Sequence, residues 1–225
     1  DYEVTYANNT APTTTVSASA IITGKGYFTG TKTLYFDISK RKISNANVVI
    51  TPSVTGSVPY AVTFNAKDNG VNVVKKALVE NTDYKVTKIV YETEDDYTPA
   101  VSDLNNLQRA GKYLVTIEGK GNYEGTTDVE VTCGIDLSSA AISVGKENLT
   151  YNGKPQWPTI SVKVGKQTVQ YKDNTSAPFA VEFSRDDSEF VPDGYENIYA
   201  GNVIVHAVGN TKNGYYGTTT ASASY

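Results

Sequence analysis

The sequence predicts an all-β protein. Three observations carry this: a strand-favouring composition, period-two hydropathy, and a Gly- and Tyr-marked connection that recurs at spacings of 95 and 90 residues. Tyrosine occurs 17 times and methionine is absent. β-branched and aromatic side chains suit a pleated, half-buried surface. Good helix formers never accumulate over three turns. At 225 residues the chain is long enough for about two domains.

The recurring connection reads Gly24-Lys25-Gly26-Tyr27-Phe28-Thr29-Gly30-Thr31, then Gly119-Lys120-Gly121-Asn122-Tyr123-Glu124-Gly125-Thr126. Its third copy, Gly209-Asn210-Thr211-Lys212-Asn213-Gly214-Tyr215-Tyr216-Gly217-Thr218, is two residues longer. Alternating runs flank it, such as Tyr113–Ile117 before and Thr127–Val131 after the second copy, and Asn202–Ala207 before the third. Alternation around a Gly-rich turn predicts two strands of a hairpin, with Tyr27, Tyr123 and Tyr215 as framework residues.

The other elements follow in order. Asp1-Tyr2-Glu3-Val4, Asp83-Tyr84-Lys85-Val86 and, more distantly, Pro178-Phe179-Ala180-Val181 each predict a strand ahead of a hairpin. Ile43–Val48 parallels Leu137–Ile142, and Gly56 and Tyr60 parallel Gly153 and Trp157. The expected division is a rear half-module at 1–39 and whole modules at 40–136 and 137–225. Two facing sheets in each module would bury alternating residues such as Leu114, Val129 and Val131. Pro52, Pro59, Pro155 and Pro158 fall at strand starts or edges, where a missing N–H is tolerated. The stretch Glu92–Asn106 is an insertion of about a dozen residues relative to the first module.

Leu149-Thr150-Tyr151-Asn152-Gly153-Lys154-Pro155-Gln156, the Asp-Tyr-x-Val strand and Gly-Lys-Gly-Asn-Tyr-x-Gly-Thr together resemble a bacterial immunoglobulin-like repeat. Such repeats occur in large surface and secreted proteins of Gram-positive bacteria. The resemblance covers nearly the whole chain and implies tandem immunoglobulin-like β-sandwich modules in an extracellular setting. Its signature residues are framework residues, so it brings no catalytic group.

Composition excludes some function classes. A net charge of −4 without a basic face argues against nucleic-acid binding. Lys40-Arg41-Lys42 is expected to be a solvated linker. No apolar run approaches the ~20 residues that span a bilayer. No signal peptide is present, as expected of a mature or excised segment. Cys133 is the only cysteine, so no intrachain disulfide forms, and a small buried hydrophobe is the expected role.

Catalysis finds little support. His206, the single histidine, lies in a strand-like run without a nucleophile signature beside it. No cofactor is expected. The acidic groups Glu92, Glu94, Asp95, Asp96 and Asp186, Asp187, Glu189, Asp193 lack calcium-loop spacing and are expected to be solvated. A Lys-to-Asn isopeptide bond near Glu118 or Glu130 would need a buried lysine. Trp157, Tyr151, Tyr171 and Tyr60 are the candidate carbohydrate-binding residues, although recurrence of the Tyr60 and Trp157 position favours a framework role.

The expected function is therefore non-enzymatic: a spacer or adhesion module of a bacterial cell-surface or secreted protein, partnered by other domains of its parent. Alternatives are a carbohydrate-binding adhesin recognising host or plant glycans, or a filament subunit joined to neighbouring subunits by strand complementation through residues 1–39. Short links near 39–42 and 134–137 would make the string stiff.

Overall fold

A computed structural model describes residues 1–70, 76–145, 150–154, 159–171, 179–185, 191–192 and 202–224. The described elements are short strands in predominantly antiparallel sheets, joined by turns and single 3-10 turns such as Val101–Asn105, Leu137–Ser139 and Thr211–Asn213. The all-β expectation holds. No helix among the described residues is long and apolar enough to cross a membrane.

The chain forms two compact units. One comprises Asp1–Thr51, Asn65–Thr87 and Thr116–Val129; the other comprises Pro52–Phe64, Lys88–Val115 and Glu130–Tyr225. In the first unit, β1 (Tyr2–Ala7), β2 (Ala18–Gly24) and β3 (Thr31–Phe36) form an antiparallel sheet in that order. Alternation along β1 sets its two faces, because successive side chains point to opposite sides. Tyr2, Val4 and Tyr6 share one face, while Glu3 and Thr5 take the other.

The short strand β4 (Arg41–Lys42) enters the next segment. Strands β5 (Val48–Gly56), β6 (Tyr60–Asp68) and β7 (Lys76–Leu78) then make one sheet. Strands β8 (Tyr84–Tyr91), β9 (Gly111–Gly119) and β11 (Thr126–Cys133) make another, in the order β11-β9-β8, with β10 (Tyr123–Glu124) at the hairpin tip. In the first unit, Ile43, Ala66, Leu78, Tyr84, Ile117 and Tyr123 are buried. In the second, Tyr60, Val62, Ile89, Tyr113, Val115 and Val131 are buried. The inner face of β9 is Tyr113, Val115 and Ile117, so the expectation that Leu114 points inward is off by one residue. A one-residue slip exchanges the faces of a strand, and Tyr113 through Val115 are all apolar, so pattern alone did not choose.

The second unit continues through β12 (Ile135–Asp136) into β13 (Ala141–Val144), β14 (Ile160–Val164) and β15 (Gln167–Tyr171), an antiparallel sheet. Facing it, β16 (Phe179–Arg185), β17 (Val191–Pro192), β18 (Asn202–Gly209) and β20 (Thr218–Ser224) pair in the order β17-β16-β18-β20, with β19 (Tyr215–Tyr216) at the tip. Leu137, Ile160, Val162 and Tyr171 pack against Phe179, Val181, Val205 and Ala207 as one core. Here two sheets bury their apolar faces against each other, as a sandwich requires.

All three hairpins close alike. The N–H of Gly24, Gly119 and Gly209 donates to the carbonyl of Gly30, Gly125 and Gly217 at 3.0, 2.8 and 2.9 Å. Gly125 takes a φ of 78°, in the left-handed region that favours glycine. A Cβ on Gly119 would sit 2.6 Å from the Glu124 nitrogen. This closure matches Phe28, rather than the expected Tyr27, with Tyr123 and Tyr215.

Candidate functional site: a joint around Gly134

The Lys40-Arg41-Lys42 stretch, expected to be a solvated linker, is tied down at Arg41. In the first unit, β4 lies parallel to β10, with Arg41 opposite Tyr123. Arg41 is no free surface charge: its guanidinium Nη2 donates to buried Asp68 at 2.8 Å, and its Nε also contacts that carboxylate. Gly70 N–H donates to Asp68 at 2.9 Å. Burial alone would raise the Asp68 pKa, but Gly70 and Arg41 outweigh it and hold the carboxyl below its ordinary range.

In the second unit, β12 lies parallel to β19, with Ile135 opposite Tyr215, and Ile135 N–H donates to Gly214 O at 3.0 Å. Gly134 turns the chain between Cys133 and Ile135 with a φ of 85°. A Cβ there would meet the Ala110 side chain at 2.5 Å and Gly214 O at 2.6 Å. The turn leaves no room for any larger residue.

Beside this turn the acidic insertion meets the lengthened hairpin. Arg109 Nη1 donates to Glu94 at 2.6 Å, and the two terminal nitrogens of Arg109 grip Asp96 at 2.9 and 3.0 Å. The Tyr97 ring centroid lies 5.3 Å from the Arg109 guanidinium. Glu94 also accepts from the Thr211 hydroxyl at 3.2 Å, and Ala110 N–H donates to Thr211 O at 2.7 Å. Tyr91 and Tyr113 brace the same strand end by donating at 2.6 Å to Ala110 O and Arg109 O. Burial raises both phenol pKa values, so both remain donors at neutral pH.

Thr211 stands in the 3-10 turn that the two extra hairpin residues allow. Asn210 caps this turn by accepting from Lys212 N–H at 3.1 Å. Glu94 and Asp96 thus belong to a charged network, with Asp96 still largely exposed to solvent as expected of its loop. Among the described residues no acidic, His or Cys group is arranged to hold a metal ion. Asp186, Asp187, Glu189 and Asp193 lie outside the described residues, as do Pro155 and Pro158.

Three of the four candidate sugar-binding residues, Tyr60, Tyr151 and Tyr171, are among the described residues. Tyr60 is buried, with its hydroxyl near Gly134 and Gly214, and Tyr171 is buried in the core facing Phe179. Neither presents a ring face to a sugar, which corrects their assignment to a platform. Tyr151 is 66% exposed, and Trp157 lies outside the described residues. His206 lies beside Glu182 at 3.3 Å across β18 and β16. Cys133 is buried, and burial pushes its thiol up to about 11. Lys85 faces Glu118 at 3.0 Å, but both side chains are half-exposed, unlike the buried pair that an isopeptide bond needs.

No protein-family model, curated protein or solved structure matches this chain.

Arg109 and Thr211 were not singled out from sequence, and Glu94 entered only as one of an acidic group expected to be solvated. The available signal was that the two irregularities, one insertion and one longer hairpin, fall in neighbouring segments.

Proposed function

We propose that this chain is a non-enzymatic spacer made of immunoglobulin-like modules, with 1–39 as a partial module and 40–136 and 137–225 as whole ones. It belongs, on this reading, to a bacterial cell-surface or secreted protein of the Gram-positive type that its hairpin and Asn-Gly-Lys-Pro motifs resemble. Its partners are the other domains of its parent. The joint around Gly134 is the observation that carries the proposal. A linker between independent binding modules would work as a flexible coil. Here the link is hydrogen-bonded to Gly214, packed on Ala110 and flanked by the Glu94–Arg109–Asp96 network. Such a joint suits a part that must hold a distance. The similar closure of the three hairpins supports reading them as copies of one framework.

A glycan-binding role draws less support, because Tyr60 and Tyr171 are occupied in the interior. Trp157→Ala would abolish glycan binding under that alternative and leave melting unchanged.

Backbone 15N relaxation tests the spacer proposal. The strands on either side of Gly134, β9 and β18, should tumble with one correlation time. Separate correlation times would overturn it.

A further inference from the structure

Exposed apolar side chains gather on one sheet of the first unit. Among the described residues, nine of the thirteen exposed large apolar side chains fall between Tyr2 and Phe36. The other four, Val49, Val79, Val101 and Tyr151, lie singly along the chain. Pairing of Val4 with Ile22 and of Ala20 with Leu34 puts Tyr2, Val4, Tyr6, Ile22, Leu34 and Phe36 on one face of β1–β2–β3. Phe28 joins them at one end, where with Tyr2 and Ile22 it lines an open cleft of about 620 Å³. Tyr2 is 70%, Tyr6 61% and Phe28 66% exposed. Single exposed apolar residues are ordinary, but a contiguous patch marks an interaction surface.

The second unit shows what such a face receives. Tyr2 pairs with Gly24 as Phe179 pairs with Gly209, in each case the glycine that opens the hairpin. Phe179 is 1% exposed, because it shares a core with Leu137, Ile160 and Val162 of the facing sheet. The fitting cover is therefore another apolar sheet face. Within this chain such faces are already used. Those of β13–β14–β15 and β16–β18 are packed into one core, and Val62, Ile89, Val115 and Val131 are buried as well. The surface of matching chemistry that stays open is the same face on another copy.

We infer that two copies of this chain associate face to face through β1–β2–β3 as a closed, twofold dimer. Area and charge both fit. At about 200 Å² for a full aromatic side chain, each face offers roughly 600 Å² of exposed apolar surface. A pair buries about 1,200 Å², the lower end of specific interfaces. Asp1 and Lys32 line the cleft at the rim of the face, so each copy brings one charge of either sign. A self-matching patch is used up in one pairing, so assembly stops at two. The inference stands apart from the joint around Gly134.

Sedimentation velocity of the full 225-residue chain tests it. Monomer should give way to dimer with a dissociation constant on the order of micromolar, as the small area implies. Leu34→Asp, on the open face, should weaken the dimer on the order of a hundredfold, and the milder Tyr6→Ser about tenfold. Tyr35→Asp, on the opposite face of the same strand and 74% exposed in the parent chain, should leave the dimer unchanged. Amide signals of β1, β2 and β3 report whether each variant keeps its sheet; if Leu34→Asp loses them, Tyr6→Ser decides. A chain that stays monomeric up to roughly 200 μM would overturn the inference and give the face another occupant. A dimer indifferent to both open-face changes would overturn it in favour of edge pairing, and equal weakening by Tyr35→Asp would also overturn it. Growth into longer assemblies would replace it with strand addition.

Discussion

Arg109 illustrates how one side chain can serve two segments. It is mostly buried, grips Asp96 through two nitrogens and shares Glu94 with Thr211. Arg109→Ala should therefore cost about 1–2 kcal/mol, since charge-assisted bonds to partly exposed carboxylates are screened by water. Chemical denaturation would measure it. Asp68 makes a pH prediction. Its folded pKa lies below the ordinary 3.8 because Gly70 and Arg41 outweigh burial. The stabilisation is complete above that ordinary value and is lost as pH falls below it through the folded value. Acid titration of stability should show this loss, and Asp68→Asn should remove it while costing about 3 kcal/mol at neutral pH by stranding Arg41. The Cys133 thiol, buried and pushed up to about 11, should react with a thiol reagent only on unfolding.

At the scale of elements, the hairpins explain what was legible in the sequence. Their signature is local: glycines that must turn, flanked by alternating strands, so each was found within a span of about twenty residues. Gly119→Ala should cost about 1–3 kcal/mol, because the new methyl group would collide with the backbone of Glu124; thermal melting would show it. The all-β class and the burial of Cys133 were legible for similar reasons. Features that depend on distant partners were not. The Arg41 charge looked like part of a solvated run, since buried Asp68 lies 27 residues away. Tyr171 looked available for a sugar, since nothing near it in sequence reveals that Phe179 and Ile160 share its core. Glu94 and Thr211 are 117 residues apart, and from sequence one was read as part of a solvated acidic group and the other as part of a lengthened hairpin. Local pattern specified strands and turns, while partner choice waited on the fold.

For the whole molecule, the claim is that irregularities in otherwise similar segments are the parts that join them. The insertion after β8 supplies Glu94, Asp96 and Tyr97, and the longer tip between β18 and β20 supplies Thr211 and Gly214. Removing either irregularity should free the joint without unfolding the strands it connects. The most direct measurement is an electron-spin distance distribution between labels at exposed Lys88 and Lys163, in a chain carrying Cys133→Ala. A fixed joint predicts one narrow distance that broadens when Glu94→Ala and Arg109→Ala are combined. A broad distribution in the chain with Glu94 and Arg109 intact would contradict the account.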